Sequence, residues 1–432
     1  MATSDLKAAA TSRPEPSVTH RWVVLFFVSL TMFGNYYLYD SIAPVEDLLK
    51  SQLHFTDHMI GRLYSMYSYA AVALLLVGGI IIDKIGTKKA VTLFGGLCAI
   101  AGFLTAVSSD VHVMYVGRFI LGFGAESLIA AVTTALAKWF KGKEIGFAFG
   151  INLTIARLGS MATDYSPRFA KPLYGNWRSP LWLAAGLGTF CIIGAIIYWI
   201  LEASAERHYV IGQAGSTDKL VLKDLVAFDR SFWYITGLCV TFYAAVFPFR
   251  SFDIKFFMEA YRMTRQAAGT LSAFLPQAAM IATPLFGLMI DKVGKRALFM
   301  AVGSLIIVPA YLMMMPSLHI TPYASMTLIG IAFSLIPAVM WPSVAYIVDE
   351  KRLGTAYALM ALIQQLGVAI IDEGIGWSND HFHANALNPS GYNGMLYLVS
   401  ALGFLGLFFS FMLWKTERGP HAHGLDRVKP KQ

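Results

Sequence analysis

The most constraining feature of this sequence is its division into apolar blocks of about 20 residues, separated by short polar turns. A helix of about 20 residues crosses the hydrocarbon core of a bilayer. Only 14% of the 432 residues are charged, whereas an average soluble domain carries about a quarter. The pattern predicts an all-α membrane protein with twelve transmembrane helices. The predicted spans are 21–43, 60–82, 89–108, 112–138, 145–166, 179–201, 231–258, 266–290, 296–315, 321–348, 353–377 and 393–415.

An internal repeat divides these spans into two six-helix bundles. The segment Gly79–Gly86, with Asp83 and Lys84 in it, recurs as Gly287–Gly294, an offset of 208 residues (287 minus 79). The same shift brings the fifth span onto the eleventh: Gly146, Ala148, Leu158 and Gly159 meet Gly354, Ala356, Leu366 and Gly367. Two separate matches at one offset predict pseudo-symmetric halves with a site between them near the midplane.

The long polar segment between the sixth and seventh spans is the natural boundary between the halves. The expected organisation is a disordered tail 1–20, an N-terminal half 21–201, a linker 202–230, a C-terminal half 231–415 and a tail 416–432. The tails and the linker-side loops hold 23 Lys and Arg residues, and the opposite loops hold 6. Because basic loops remain in the cytoplasm, both termini are predicted to be cytoplasmic. The net charge of +8 is spread over alternate loops and does not form one patch, which argues against a nucleic-acid partner.

Two ionised residues lie near the middle of neighbouring spans, Glu126 in the fourth and Arg157 in the fifth. A charge at the centre of a spanning helix costs about 2.5–3.5 kcal/mol on insertion scales, so it needs a partner, a cavity or a ligand. One interpretation is a buried ion pair that only fixes helix register. The other is a clamp for a zwitterion, in which Glu126 receives an ammonium group and Arg157 a carboxylate.

Two motifs identify a family. The pattern G-x-x-x-D-[RK]-x-G-x-[RK]-[RK] at Gly79–Lys89, and Arg118-x-x-x-Gly122, resemble signatures of the major facilitator superfamily. A more specific resemblance, to the lysosomal dipeptide transporter group of that superfamily, covers most of the chain. It is carried by Gly34-Asn35-Tyr36, Tyr39-Asp40, Gly117-Arg118-Phe119, Glu126-Ser127-Leu128, Trp139-Phe140-Lys141-Gly142-Lys143-Glu144, Ala156-Arg157-Leu158-Gly159-Ser160, Ala245-Val246-Phe247-Pro248-Phe249, Trp341-Pro342 and Leu353-Gly354-Thr355-Ala356-Tyr357.

The resemblance implies facilitated transport of dipeptides, with an acid on span four and an arginine on span five holding the two ends of the substrate. Glu126 and Arg157 stand at those places. The chain departs from the group in having Asp372-Glu373 where an apolar pair is expected, and its N-terminal tail has no acidic dileucine sorting signal. The second departure favours a bacterial inner membrane over the alternative of a lysosomal membrane.

Other polar and aromatic residues are candidates for lining the site. Gln365 is the repeat equivalent of Arg157, so the second half is polar but uncharged at that depth. Aromatic walls suit a broad range of substrates, although an interfacial aromatic belt and simple packing are the alternatives. The predicted lining residues are Asn35, Tyr36, Tyr39, Tyr64, Tyr67, Trp341, Gln364 and Gln365.

A second set of residues is predicted to act on conformation. The two copies of the repeated motif are expected to latch the linker side, with the aspartates bonded to helix N-termini and basic partners. Arg118 is either a packing arginine bonded to backbone carbonyls of span one or a group that tunes Glu126. The latch residues are Asp83, Lys84, Lys88, Asp291, Lys292 and Arg296.

Asp40, Asp372 and Glu373 are candidate proton carriers. The position of the last two near the outer mouth favours solvated carboxylates, with proton transfer as the alternative. Four charged residues follow Pro248 in span seven: Arg250, Asp253, Lys255 and Glu259. Their spacing favours a solvated helix end with local ion pairs, and an outer gate at a proline bend is the alternative.

The remaining features argue against an enzyme. The ten histidines lie in tails, loops or span ends, so no nucleophile or metal site is predicted. No phosphate-binding loop is present, and no cofactor is expected. The expected partners are a small-molecule substrate and the lipid bilayer, and nothing in the sequence specifies an accessory subunit. An organic anion or amino acid permease, and a sensor that does not transport, are the alternatives to a dipeptide transporter.

Overall fold

A computed structural model describes residues 14–140, 144–209, 228–349, 352–420 and 422–425. Most of the predicted tails and linker lies outside these residues. The described part is helical, with these α-helices: α1 Val18–Asp40, α2 Glu46–Leu53, α3 Asp57–Ile85, α4 Thr87–Val107, α5 Val111–Phe140, α6 Ile145–Phe169, α7 Arg178–Gly188, α8 Phe190–His208, α9 Arg230–Ala260, α10 Arg265–Ser272, α11 Phe274–Val293, α12 Arg296–Leu312, α13 Pro322–Ile347, α14 Leu353–His381 and α15 Asn393–Thr416.

One helix, or two successive helices, lies over each of the predicted spans. Within the described ranges, ten helices are long and apolar enough to cross a membrane, some of them formed by two successive segments. An eleventh is reached if Asp57–Leu74 and Val77–Ile85, which meet at 58°, count as one bent span. The apolar helix α12 is shorter, at 17 residues. Large apolar side chains on one face of α11 are strongly exposed, with Ile281 at 69%, Leu285 at 60% and Leu288 at 63%. Such a face suits contact with lipid.

The repeated motif ends in a turn with a positive-φ glycine in both halves. Gly86 follows α3 with φ of +81°, and Gly294 follows α11 with φ of +69°. In each turn the glycine N–H donates to the carbonyl four residues earlier, Ile82 at 3.0 Å and Ile290 at 2.8 Å. A glycine adopts positive φ without a steric penalty, which explains its presence at both turns.

One of two apolar cores connects the two halves at one end of the bundle. One core lies within the first half, around Phe94, Leu128 and Ala156. The other core joins the second half to residues of the first half such as Ile42 and Ile60. We call this the distal end, where α1 ends at Asp40. The linker end is the opposite one, where α8 ends and α9 begins.

Two glycines show how closely the halves approach at the distal end. A Cβ atom at Gly61 would lie 2.3 Å from the carbonyl oxygen of Asp372, and one at Gly269 would lie 2.2 Å from that of Asp164. Gly61 and Gly269 are 208 residues apart, as are Asp164 and Asp372. The repeat found in the sequence is therefore also the pseudo-two-fold relation of this interface.

Ion pairs across the distal interface follow the same relation. Lys255 Nζ lies 2.8 Å from Asp57 Oδ1, and Arg265 Nη1 lies 2.5 Å from Asp47 Oδ1. Position 255 is equivalent to 47 and position 265 to 57, so the second pair is the first with its charges reversed. We call these two ion pairs the distal latch.

The distal latch corrects one sequence interpretation. Arg250, Asp253 and Lys255 are 9%, 0% and 1% exposed, so the solvated helix end predicted for this part of span seven is wrong. Lys255 does approach Glu259 at 3.9 Å, the i,i+4 contact expected from the sequence, but its shorter bond is to Asp57 of the other half.

Candidate substrate-binding site

A cavity of about 370 Å³ lies between the two halves. Its walls come from both of them, as the repeat predicts. The residues that line it are Asn35, Tyr36, Tyr39, Asp40, Tyr67, Glu126, Ile129, Arg157, Ser160, Tyr243, Phe247, Arg250, Pro276, Phe333, Trp341, Ala361, Gln364, Gln365 and Val368.

Glu126 reaches the cavity from α5 and is held by neutral donors. Its Oε1 accepts hydrogen bonds from Tyr67 Oη and from Gln365 Nε2, both at 2.9 Å. The Oε1 atom of Gln365 accepts in turn from Ser68 Oγ at 3.1 Å. Because Gln365 belongs to the second half, this short chain links the halves beside the cavity.

Arg157 reaches the same cavity from α6 and lies between two aromatic rings. Its guanidinium carbon is 5.6 Å from the ring centre of Tyr36 and 5.4 Å from that of Phe333. These are cation–π distances. Among the described residues it has no ion-pair or hydrogen-bond partner, and Glu126 lies outside ion-pair distance. The two charges therefore share a cavity without neutralising each other.

Aromatic residues of the second half form part of the cavity wall. Trp341 Nε1 donates to Tyr243 Oη at 2.9 Å, and Tyr243 stacks on Phe247 with ring centres 5.5 Å apart. Sequence reasoning predicted Trp341 but missed Tyr243 and Phe247. Adding the repeat offset of 208 to Asn35 and Tyr39 gives these two positions, so the signal was present in the sequence.

The distal end of the cavity carries a buried charge cluster. Arg250 lies 3.4 Å from Asp40 Oδ1 and 3.1 Å from Asp164 Oδ2. Both aspartates belong to the first half and Arg250 to the second. This cluster connects the cavity lining to the distal interface. Of the four residues for which the sequence offers an outer gate as the alternative, it contains Arg250.

Three of the residues predicted to line the site or to carry protons lie away from the cavity lining. The ring of Tyr64 packs 5.0 Å from the guanidinium carbon of Arg118. Glu373 is 3.5 Å from Arg62 Nε at the distal rim. Asp372 is 1% exposed, so the expectation of a solvated carboxylate is wrong for this residue. The residue is buried because the distal interface covers it.

Arg118 is bonded to backbone and not to an acid. Its three nitrogens donate to the carbonyls of Leu38 at 3.0 Å, Tyr39 at 3.0 Å and Leu63 at 3.3 Å. Two of these carbonyls belong to α1, which is the geometry of the packing alternative for this arginine.

At the linker end, the repeated motifs have mostly exposed side chains. Asp83, Lys84, Asp291 and Lys292 are exposed. Arg296 Nη2 donates to Asp291 at 2.9 Å within the second half, and Lys88 bonds to Glu206 within the first.

Sequence reasoning missed the centre of the linker-end polar network in the first half, the buried Glu202. Its carboxylate accepts from Lys138 Nζ at 2.9 Å, Trp139 Nε1 at 3.0 Å and Thr87 Oγ1 at 2.9 Å. Glu202 was assigned to the linker because the sixth span was predicted to end at residue 201, whereas α8 continues to His208. It ties the linker-end tips of α4, α5 and α8 together.

Comparison with known proteins identifies the class. Residues 25–371 match the Major Facilitator Superfamily, and the chain belongs to that family. Its members are membrane transporters and not enzymes. The fold agrees with solved transporters. A bacterial homolog of the human lysosomal transporter Spinster, in an inward-facing and unoccupied conformation, has a TM-score of 0.74 at 17% identity, over 93% of this chain and 98% of that one. The nucleoside transporter NupG has a TM-score of 0.70 at 15% identity, over 91% and 99%.

Relatives that are 30–33% identical to this chain belong to one group within the superfamily. The lysosomal dipeptide transporter MFSD1 of Mus musculus is 33% identical, over 83% of this chain and 80% of its own length. MFSD1 of Danio rerio is 31% identical over the same shares. A probable sulfoacetate transporter, SauU of Cupriavidus necator, is 24% identical over 79% of this chain and 83% of its own length. The predicted membership of the superfamily and the likeness to the dipeptide transporter group are confirmed.

Proposed function

We propose that this transporter moves dipeptides, or similar small zwitterions, by alternating access between the two halves. Glu126 binds the ammonium group and Arg157 binds the carboxylate. The observation that carries this proposal is the pair of opposite charges that face one cavity without pairing. Both side chains are partly buried and neither has a counterion among the described residues, so a ligand that carries both charges would compensate both.

The size and walls of the cavity support a dipeptide. Its volume of about 370 Å³ falls within the roughly 300–1,000 Å³ usual for small-molecule sites. Tyr36, Phe333 and Trp341 provide apolar surfaces for variable side chains, and Gln364 can bond to a peptide amide. The cavity residues between Glu126 and Arg157 therefore accommodate different side chains of the dipeptide. The two charged residues fix the orientation of the dipeptide.

The arrangement of contacts suits a state that is closed at the distal end. Both ion pairs of the distal latch, and the Arg250 cluster, join the two halves there. Alternating access requires these contacts to break while contacts at the linker end form. In that cycle, the exposed Asp83 and Asp291 motifs would latch the linker end when it closes.

The topology in the membrane is part of the same proposal. We infer twelve spans, with the bent α3 and the short α12 each crossing once. The distribution of Lys and Arg supports a cytoplasmic position for both termini and for the linker end. The bacterial inner membrane is the proposed location, and a lysosomal membrane is the alternative because the MFSD1 relatives carry the name lysosomal.

One observation favours a second substrate class. Arg157 has no acidic partner in the described part of the chain, so it could bind an organic anion alone. The likeness to a probable sulfoacetate transporter points in the same direction. In that case Glu126, which is bonded to Tyr67 and Gln365, would be a structural acid.

Uptake by proteoliposomes distinguishes the two classes. The dipeptide Ala-Ala is compared with its N-acetyl and C-amide forms as competitors of labelled Ala-Ala uptake. We expect each blocked form to compete at least 10-fold less well, since a charge-assisted bond is worth about 1.5–3 kcal/mol.

The same assay tests the assigned residues. Glu126→Gln and Arg157→Lys should raise KM at least 10-fold, because each weakens one end of the clamp. The matched controls are Glu144→Gln and Arg168→Lys, whose side chains are exposed away from the cavity. Equal competition by the N-acetyl form would exclude Glu126 as an amine site, and wild-type uptake by both clamp variants would refute the proposal.

A further inference from the structure

Asp372 on α14 is a buried carboxyl group without a cationic partner. It is 1% exposed. Its Oδ1 accepts from Ser251 Oγ at 3.0 Å, and its Oδ2 is buried with no hydrogen-bond partner. Among the residues described, no Lys, Arg or His nitrogen lies within ion-pair distance of it. The substrate clamp and the distal latch leave this group unexplained.

The pseudo-two-fold relation shows what Asp372 lacks. Its equivalent, 208 residues earlier, is Asp164, which is equally buried but lies 3.1 Å from Arg250. The position equivalent to Arg250 is Ile42, which is fully buried. The first aspartate is therefore neutralised by an arginine, and the second has an aliphatic residue at the corresponding place.

Other charged groups do not compensate Asp372 directly. The titratable and charged side chains near enough to act on it are Tyr39 of α1, Tyr69 of α3, Arg118 of α5 and Glu373 of α14 itself. Arg118 already donates to three backbone carbonyls, and Glu373 is an acid. A buried carboxylate without a close cation costs several kcal/mol, and such a group becomes neutral by taking up a proton.

The location of Asp372 connects it to the transport cycle. Its backbone carbonyl is the atom that faces Gly61 of the other half, so Asp372 lies in the interface that must open at the distal end. Val368, four residues earlier and about one helical turn away, lines the cavity. Asp372 therefore lies directly between the distal interface and the wall of the substrate cavity.

We propose that Asp372 is a proton-binding site that couples substrate transport to the movement of one proton. The inference rests on the proposed transport of a zwitterion. In the distal-open state the carboxylate is exposed to water and stays ionised. Closure of the distal end removes that water and favours uptake of a proton from the distal side, –COO⁻ plus H⁺ giving –COOH, so that the neutral acid lies buried beside Ser251. Release of the proton toward the linker end through the cavity returns the carboxylate, so substrate and proton move in the same direction.

The coupling is tested by the charge that accompanies a neutral dipeptide. Wild-type protein in proteoliposomes is given Ala-Ala at neutral pH and an inside-negative potential set by potassium and valinomycin. One positive charge per cycle predicts accumulation of up to about 50-fold per 100 mV, since that potential is worth about 2.3 kcal/mol per charge. Asp372→Asn, which keeps the bond to Ser251, should still exchange labelled for unlabelled Ala-Ala but should not accumulate it. Asp110→Asn, an exposed carboxylate at the same end, should accumulate it like the wild type.

A second measurement is independent of transport. Infrared spectra of the purified protein at neutral pH should show a protonated carboxyl band that is weaker in Asp372→Asn than in the wild type. Equal bands, or wild-type uptake that ignores the potential, would overturn the inference. If Ala-Ala is not transported at all, the proposed substrate fails, and the infrared comparison alone decides whether Asp372 holds a proton.

Discussion

The distal latch predicts that Lys255→Met shifts the protein toward its distal-open state. Lys255 is 1% exposed and bonds to Asp57 at 2.8 and 2.9 Å, while Glu46, 0% exposed, lies 3.8 Å away. Loss of the ammonium leaves Glu46 buried without a hydrogen-bond partner. Asp57 retains Lys50 at 2.6 Å, so most of the penalty falls on Glu46.

The magnitude follows from the cost of an uncompensated buried charge. Removing one partner of a buried ion pair costs about 3–5 kcal/mol. Separation of the halves relieves that cost by exposing the acids to water. At the lower limit of about 3 kcal/mol, the ratio of closed to open molecules falls about 150-fold. A population that is 99% closed would then become more than half open.

Distances between spin labels across the distal end measure this shift. Labels are placed at Ser51→Cys in the first half and Ser317→Cys in the second, both exposed positions. The three native cysteines are buried, so we expect the spin label to react little with them. Lys255→Met should add a longer distance, and Lys171→Met, an exposed lysine at the same end, should not. An unchanged distance distribution in Lys255→Met would show that the ion pair does not hold the distal end closed.

Three further predictions test the interface and its packing. Arg265→Asp should lengthen the same label distance by placing two acids together, and the double variant Asp47→Arg/Arg265→Asp should restore it; failure of the restoration would show that the pair does not act as a unit. Gly61→Ala should also favour the open state, because its new methyl group would lie 2.3 Å from a backbone oxygen of the other half. The control Gly186→Ala, whose new methyl group would have nothing within 4 Å, should leave the label distances unchanged. Equal label distances in the two variants would refute the tight packing at Gly61. Arg118→Met should lower the melting temperature in detergent, since three carbonyls lose a charged donor worth about 1.5–3 kcal/mol each at most, and an unchanged melting temperature would show that these bonds are not structural.

The helices could be predicted from the sequence because their signals are local, and their division into halves because one motif recurs at an offset of 208 residues. Blocks of apolar residues define a helix that meets lipid, and Gly86 and Gly294 mark turns that require positive φ. The repeat offset then carried information about the site, since it relates Tyr243 and Phe247 to predicted lining residues. Glu126 and Arg157 were identified because a charge is conspicuous in an apolar run.

Other features could not be predicted because they depend on residues far away in the chain. Lys255 bonds to Asp57, 198 positions earlier, and the sequence offered only the nearer partner Glu259. The depth of Asp372 is likewise set by the first half, which covers it at the distal interface. Glu202 was missed because the end of a spanning helix is poorly defined by apolar content alone.

Calorimetric binding of Ala-Ala and its blocked forms to the wild type, Glu126→Gln and Arg157→Lys tests the central claim most directly. The clamp predicts that the N-acetyl block weakens binding to the wild type and to Arg157→Lys but has little further effect in Glu126→Gln. It predicts the reverse pattern for the C-amide block, with little further effect in Arg157→Lys. If both blocks weaken binding equally in all three proteins, Glu126 and Arg157 do not hold the two ends of the substrate.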